Sequence, residues 1–209
     1  MKKLQYIVIS VLLGVLLVCC CFTFIAQKKK KFIQQEVSKE MKIAMIIAKD
    51  GFRDEEYLQP KDVFVKSNFE VDTYSSSTGT AKGMLGATVK VEKTIDQLKV
   101  DEYDAVIFVG GVGSAEYWDN PLAHRIAQEA IKQNKLLAAI CIAPVTLAKA
   151  GVLKGKNATV FPSEAGQLKK YGANYTAKDV EVDGKIVTAS GPSAAKQFAE
   201  TIKNLLLTK

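Results

Sequence analysis

Three short apolar runs, at residues 43–48, 105–109 and 136–140, constrain this chain more than any other feature of its sequence. Each is too short for an ordinary helix, and none shows the polar alternation of a strand with one wet face. Each therefore reads as a strand covered on both sides. Between and after them lie segments of helical period, over 54–67, 121–134 and 143–150. Pro121 stands in a first turn and Gly151 just beyond a last one, where each residue is favoured. The other predicted elements are strands over 69–74, 88–91 and 158–161 and a Ser/Thr/Gly-rich loop or hairpin tip over 75–86. A turn or short helix at 95–98, a helix over 163–171, a hairpin over 180–188 around Asp183-Gly184 and a closing helix over 193–207 complete the set. Strands alternating with helices through short loops give an α/β fold whose mostly parallel sheet is covered on both faces. Ligands of such sheets bind beyond the C-terminal strand ends. Three of those ends carry distinctive residues: Lys49-Asp50-Gly51, Gly110-Gly111 and Cys141.

The first forty residues are of another kind. Residues 4–26 carry no charge and are bracketed by Lys2-Lys3 and Lys28-Lys29-Lys30-Lys31. As a helix this run would span ~35 Å, enough to cross a hydrocarbon core of ~30 Å. We expect a transmembrane anchor over 1–27, a basic juxtamembrane linker over 28–40 and one α/β domain over 41–209. A cleaved signal peptide is the alternative, opposed by the length of the run and the lack of a clear small-x-small site. Cys19-Cys20-Cys21 also raise a lipid anchor, although Leu16-Leu17-Val18 make a poor lipobox. The four lysines lean the domain towards the cytoplasm, with a secreted domain as the other outcome. The net charge of +7 is concentrated here, because residues 1–40 hold seven Lys and two Glu. The basic flank suits anionic lipid, and with no basic patch elsewhere nucleic acid is not an expected partner. One histidine, His124, and no metal-binding motif leave too few ligands for zinc; no metal or cofactor is expected.

Cys141 ends the third run at a strand-to-helix corner. Backbone N–H groups converge there and the helix dipole favours negative charge, an environment that lowers a thiol pKa. The bland reading is a small buried apolar residue. The placement favours a nucleophile on a sharp elbow, with the N–H groups of Ile142 and of Gly110-Gly111 as an oxyanion site. For the two glycines, a tight turn with close packing is the competing reading. Asp54-Glu55-Glu56 suit an acidic helix start in solvent. Alternatively one of the three points into the pocket, where desolvation keeps it protonated and able to donate to a thiolate. His124 reads as an exposed residue on a helix face.

Several pieces then follow in a fixed order: Glu56 with Pro60 four residues on, Val109-Gly110-Gly111, and Ala139-Ile140-Cys141-Ile142-Ala143-Pro144. They continue through Gly155-Lys156-Asn157-Ala158-Thr159 to Ala189-Ser190-Gly191-Pro192-Ser193-Ala194-Ala195. In this order they resemble the ThiJ/PfpI family over residues 41–207. The resemblance implies a flavodoxin-like three-layer sandwich with Cys141 on the elbow and Glu56 as the carboxylate that hydrogen-bonds its sulfur. It also implies an oxyanion site at Gly111 and Ile142 and assembly as a homodimer or larger ring. Protease-like and glyoxalase-like members often carry histidine directly after the cysteine, where this chain has Ile142. The deglycase-like branch has a histidine that falls on Phe161. Without either imidazole, peptide hydrolysis lacks a donor for the leaving amine. The expectation is a glyoxalase- or deglycase-like enzyme in stress protection, in which Cys141 attacks small reactive carbonyls or their adducts with thiols and amines. The alternative is a non-enzymatic redox sensor in which Cys141 is oxidised to a sulfinate beside Glu56. A PfpI-type cysteine peptidase ranks last.

Overall fold

Period-two alternation decides how the central sheet is covered. In β1 (Lys42–Ile46), Ile43 and Met45 enter the apolar cluster on one face, and Ala44 and Ile46 enter that on the other. All four are fully buried, so every position after Lys42 must be apolar. The computed structural model describes residues 41–208. After β1 come β2 (Asp50–Phe52), α1 (Asp54–Lys66), β3 (Glu70–Ser75), β4 (Gly79–Gly83), β5 (Thr88–Val91) and β6 (Lys93–Thr94). Next are β7 (Ala105–Phe108), α2 (Pro121–Lys132), β8 (Leu136–Ile140), α3 (Pro144–Lys149) and β9 (Asn157–Ala158). The chain closes with α4 (Ala165–Lys170), β10 (Asn174–Tyr175), β11 (Val180–Asp183), β12 (Ile186–Ala189) and α5 (Ala195–Leu207).

The seven-stranded central sheet has the order β11-β12-β8-β7-β1-β3-β6. Only the β11–β12 pairing is antiparallel, so the mostly parallel sheet read from the sequence is present. α1 and α5 cover one face through Phe64, Phe198 and Ile202; α2, α3 and α4 cover the other through Ile126, Leu147 and Leu168. In α5 the buried residues are Ala195, Phe198, Ala199, Ile202 and Leu206, the stripe of a helix with one apolar face. This is the flavodoxin-like three-layer arrangement. β2, β4 and β5 form a small separate sheet beyond the end of β1.

Two expectations are corrected. The strand expected over 158–161 shortens to the two residues of β9, which pair with β10 outside the central sheet. Its continuation is diverted because Thr159 N–H donates to the Thr188 hydroxyl and Phe161 N–H to the Cys141 carbonyl, and Pro162 has no N–H to extend a ladder. The expected transmembrane helix and the membrane-anchored localisation also find no support in the structure. Among the described residues no helix is long and apolar enough to cross a membrane. The longest, α1 and α5, have 13 residues each and reach only ~20 Å. The segment over 4–26 lies outside the described residues.

α2 starts at an Asn cap whose carbonyl oxygen accepts from the N–H of Leu122 (2.9 Å) and of Ala123 (3.2 Å), with Pro121 in the first turn. Asn120→Ala is therefore expected to destabilise the domain by about 1 kcal/mol in urea denaturation. An unchanged midpoint would show that the cap contributes nothing.

Candidate active site

The three marked strand ends converge. β1 leads into β2, β7 into Gly110-Gly111, and β8 into Cys141. The Arg53 N–H donates to the Gly110 carbonyl at 2.9 Å and so ties the first end to the second. At Gly111, with φ +98°, a Cβ would lie 2.3 Å from the Arg53 nitrogen and 2.4 Å from the Gly51 carbonyl oxygen. Only glycine allows that approach.

Cys141 adopts φ +63°, a left-handed conformation unusual for a residue with a side chain. Such a conformation costs on the order of 1–3 kcal/mol and persists only where the surroundings over-determine it. Here its N–H donates to the Ala189 carbonyl (2.9 Å) and its carbonyl accepts from the Phe161 N–H (2.8 Å). The next carbonyl, that of Ile142, accepts from the Trp118 indole at 3.2 Å. The elbow is thus pinned to β12, to the segment after β9 and to Trp118, which caps the 3-10 turn Val112–Tyr117.

Glu56 is completely buried, and Gly110 lies between it and the cysteine. A Cβ added at Gly110 would stand 2.4 Å from Cys141 Cβ, 2.4 Å from Glu56 Oε2 and 2.7 Å from the Ile140 carbonyl oxygen. The carboxylate and the thiol therefore flank one missing methyl group. Neither carboxylate oxygen meets full hydrogen-bond geometry; the groups acting on it are the Cys141 thiol and the Gly110 N–H. Burial pushes the Glu56 carboxyl up to about 7. Burial, and after it the charge of Glu56, pushes the Cys141 thiol up to about 12, against the opposing N–H groups of Gly111 and Ile142. This corrects the expectation of a lowered thiol pKa. The six-residue α3 begins three residues beyond the cysteine, and its dipole does not outweigh a buried carboxylate. The thiol stays protonated through the neutral range, so the pair holds two protons below about pH 7 and one above it.

The three neighbouring acids have separate fates. Glu55 holds Arg53 through two bonds, at 2.8 and 3.0 Å. Asp54 is buried and accepts from the N–H of Leu85 (2.8 Å) and of Ala87 (2.7 Å), clasping the β4–β5 turn. Those N–H groups hold its carboxyl below the usual range although burial opposes them. Only Glu56 faces the cysteine. Of the proposed oxyanion donors, Gly111 and Ile142 turn their N–H groups to the sulfur, whereas that of Gly110 serves Glu56. His124 is half-buried rather than exposed, and its ring bonds the Trp118 carbonyl at 2.8 Å.

Above Cys141 opens a cavity of about 400 Å³, lined among others by Arg53, Met84, Val112, Trp118, Ile142 and Phe161. Arg53, Met84, Val112 and Trp118 were not read as site residues from the sequence. The one available signal was Trp118, the single tryptophan of the chain. Among the described residues no group of three His, Cys, Asp or Glu is placed to hold a metal ion.

A flavodoxin-like sheet with a cysteine on a left-handed elbow and a buried glutamate behind it defines a class of cysteine-centred α/β domains. Residues 41–205 match the DJ-1/PfpI family, and the chain belongs to that family. An uncharacterized protein of Methanocaldococcus jannaschii is 44% identical over 168 residues, which cover 79% of this chain and 82% of that protein. A deglycase of Pyrococcus horikoshii is 31% identical over 153 residues, covering 73% and 92%. The crystal structure of a ThiJ/PfpI domain protein from Brachyspira murdochii superposes with a TM-score of 0.79 at 30% identity, covering 81% of this chain and 99% of that one.

Two outcomes follow from the crowding at Gly110 and the burial of Glu56. Gly110→Ala overpacks the contact and is expected to destabilise the domain by about 1–3 kcal/mol in chemical denaturation; a neutral result would mean that Glu56 and Cys141 stand further apart. Because the Glu56 pKa is raised from 4.5 to about 7, its favourable contribution is complete below pH 4.5 and is lost as pH rises through about 7. Glu56→Gln should therefore be more stable than wild type at pH 8 by up to about 3 kcal/mol, with no comparable gain at pH 4. Parallel stability–pH curves for the two proteins would refute this account.

Proposed function

We propose that this protein is a cysteine-dependent enzyme that converts small reactive carbonyls or their adducts with thiols and amines, in a deglycase- or glyoxalase-like role in stress protection. The observation that carries the reading is the approach of the buried Glu56 to Cys141 across Gly110, beneath the cavity that Cys141 lines. That relatives from Pyrococcus horikoshii and Escherichia coli are named deglycases supports it. A homodimer or larger ring belongs to the same reading.

The chemistry follows from the pair. As the Cys141 sulfur bonds to an aldehyde carbon, its proton passes to Glu56 and the carbonyl π electrons move to oxygen. The N–H groups of Gly111 and Ile142 receive that oxyanion, which then takes the proton back from Glu56 to give a hemithioacetal. In an α-oxoaldehyde, Glu56 next moves a proton from the former aldehyde carbon to the neighbouring carbonyl carbon, while the hemithioacetal hydroxyl gives its proton to the neighbouring oxygen; the former aldehyde carbon becomes a thioester carbonyl and its neighbour a secondary alcohol. Water hydrolyses the thioester to a 2-hydroxy acid and frees the thiol. Addition to a free carbonyl expels no amine and does not call for the imidazole that a peptidase would use; with Ile142 and Phe161 at the positions where an imidazole was sought, Glu56 is the group that would protonate an amine leaving an adduct.

The test is turnover of methylglyoxal by the full chain, beside Cys141→Ser and Glu56→Gln. Wild-type activity should fall as pH drops below about 7, where Glu56 takes up a second proton. Cys141→Ser should abolish turnover, and Glu56→Gln should lower kcat about 10²-fold or more and remove the acid limb. Undiminished turnover in Cys141→Ser would sink the proposal. An inert wild type whose Cys141 is selectively oxidised by dilute peroxide would replace it with the sensor reading.

A further inference from the structure

The cavity is larger and more apolar than a three-carbon carbonyl requires. At about 400 Å³ it lies within the range of ~300–1,000 Å³ typical of sites for drug-sized ligands. Three of its lining residues are large, apolar and solvent-facing: Val112 (67% exposed), Phe161 (41%) and Met84 (41%). Exposed apolar side chains that line one concavity mark a place where apolar surface is covered by a ligand.

These side chains stand on pinned backbone. The Phe161 N–H is bonded to the Cys141 carbonyl at 2.8 Å, and its ring packs on Gly191, where a Cβ would lie 3.1 Å away. Met84 donates its N–H to the Phe52 carbonyl at 2.9 Å, within the turn that Asp54 clasps. Val112 follows Gly111, whose carbonyl accepts both the N–H (3.0 Å) and the hydroxyl (2.8 Å) of Ser114. The polar side chains of the wall are already engaged: Arg53 by Glu55, which lies outside the lining, and Ser163 with Glu164 at 2.8 Å. The wall is therefore organised to offer contact area rather than charge.

We propose that the preferred substrate carries an aryl or comparably bulky apolar group beside the reacting carbonyl, gripped between Phe161, Val112 and Met84. The proposal rests on the reading of Cys141 as the nucleophile. For an aryl α-oxoaldehyde the overall reaction is addition of one water to give the aryl 2-hydroxy acid, with no oxidant or reductant consumed. Met84, Val112 and Phe161 are specificity residues, and Asp54 is a positioning residue that acts through the turn bearing Met84.

Turnover and binding are measured separately on the full chain. Phenylglyoxal should exceed methylglyoxal in kcat/KM by about tenfold or more, as burial of an aromatic group predicts. Phe161→Ala should cut that ratio about tenfold, mainly through KM, while Val65→Ser, an exposed apolar site on α1 outside the cavity lining, leaves it unchanged. Binding is read in Cys141→Ser through the fluorescence of Trp118, with mandelate and lactate as unreactive probes. Mandelate should bind about tenfold tighter than lactate. Stronger mandelate binding without turnover of either aldehyde by wild type would support the apolar site and reject the enzymatic reading. Methylglyoxal turnover with a phenylglyoxal ratio of one or less would reject the apolar site alone. A Phe161→Ala variant whose selectivity is unaltered but whose sedimentation shows a changed oligomer would overturn the proposal in favour of a surface between copies.

Discussion

The arrangement at Cys141 depends on a carboxyl group that has been taken out of water and set against a thiol. An isolated buried carboxylate is costly, and the cost is reduced either by holding a proton or by sharing one with a neighbour. Glu56 has no cation bonded to it; the nearest guanidinium, that of Arg53, is engaged by Glu55. Its close companion is the sulfur, reached across a glycine that has no room for a methyl group. The absence of a side chain at 110, the elbow at 141 and the tie from Arg53 to Gly110 all serve that contact.

Holding two such groups together demands a rigid frame, and the sheet supplies it. β7, β8 and β1 are neighbours in the centre, each with both faces covered, so their ends have little freedom to separate. The backbone of Cys141 is forced into a left-handed turn and kept there by partners on β12 and at Phe161. Strain held by surrounding order is characteristic of sites where a side chain must be presented in a single direction. α3 adds little electrostatically, being short, but Pro144 in its first turn fixes how the chain leaves the elbow.

The sequence made the frame legible because burial on both faces leaves an unmistakable mark: runs without polar residues, two of which stop at Gly110-Gly111 and at Cys141. Other parts were illegible for identifiable reasons. Residues 158–161 are apolar enough for a strand, yet Phe161 donates its N–H to the Cys141 carbonyl instead of to a ladder, a choice set by a residue twenty positions earlier. The role of Asp54 depends on a turn 31 residues away. That Cys141 is special could be read from its corner position. Its titration could not, because the local N–H groups argue for a lowered pKa while their opponents, burial first and then the charge of Glu56 from another strand end, are set by tertiary packing. Local sequence describes the donors around a thiol; only tertiary packing says which charge sits behind it.

A thiol that keeps its proton until a substrate arrives suits one kind of chemistry better than another. Cleaving an amide requires a proton for the departing amine, and the cavity above Cys141 is lined by no histidine to deliver it. In the proposed addition to an aldehyde nothing is expelled: the proton leaves sulfur, rests on Glu56 and returns to the new oxygen. A carboxyl group whose pKa lies near 7 can both accept and release that proton near neutral pH, as a group with an ordinary carboxylate pKa would not. The apolar wall above the sulfur fits the same logic, since a cavity filled by the substrate's own apolar group holds less water to compete for the oxyanion donors. On the proposed reading, the lack of a histidine in the lining and the apolar wall are two aspects of one site, in which the proton passes between Cys141 and Glu56 and the substrate supplies its own shelter.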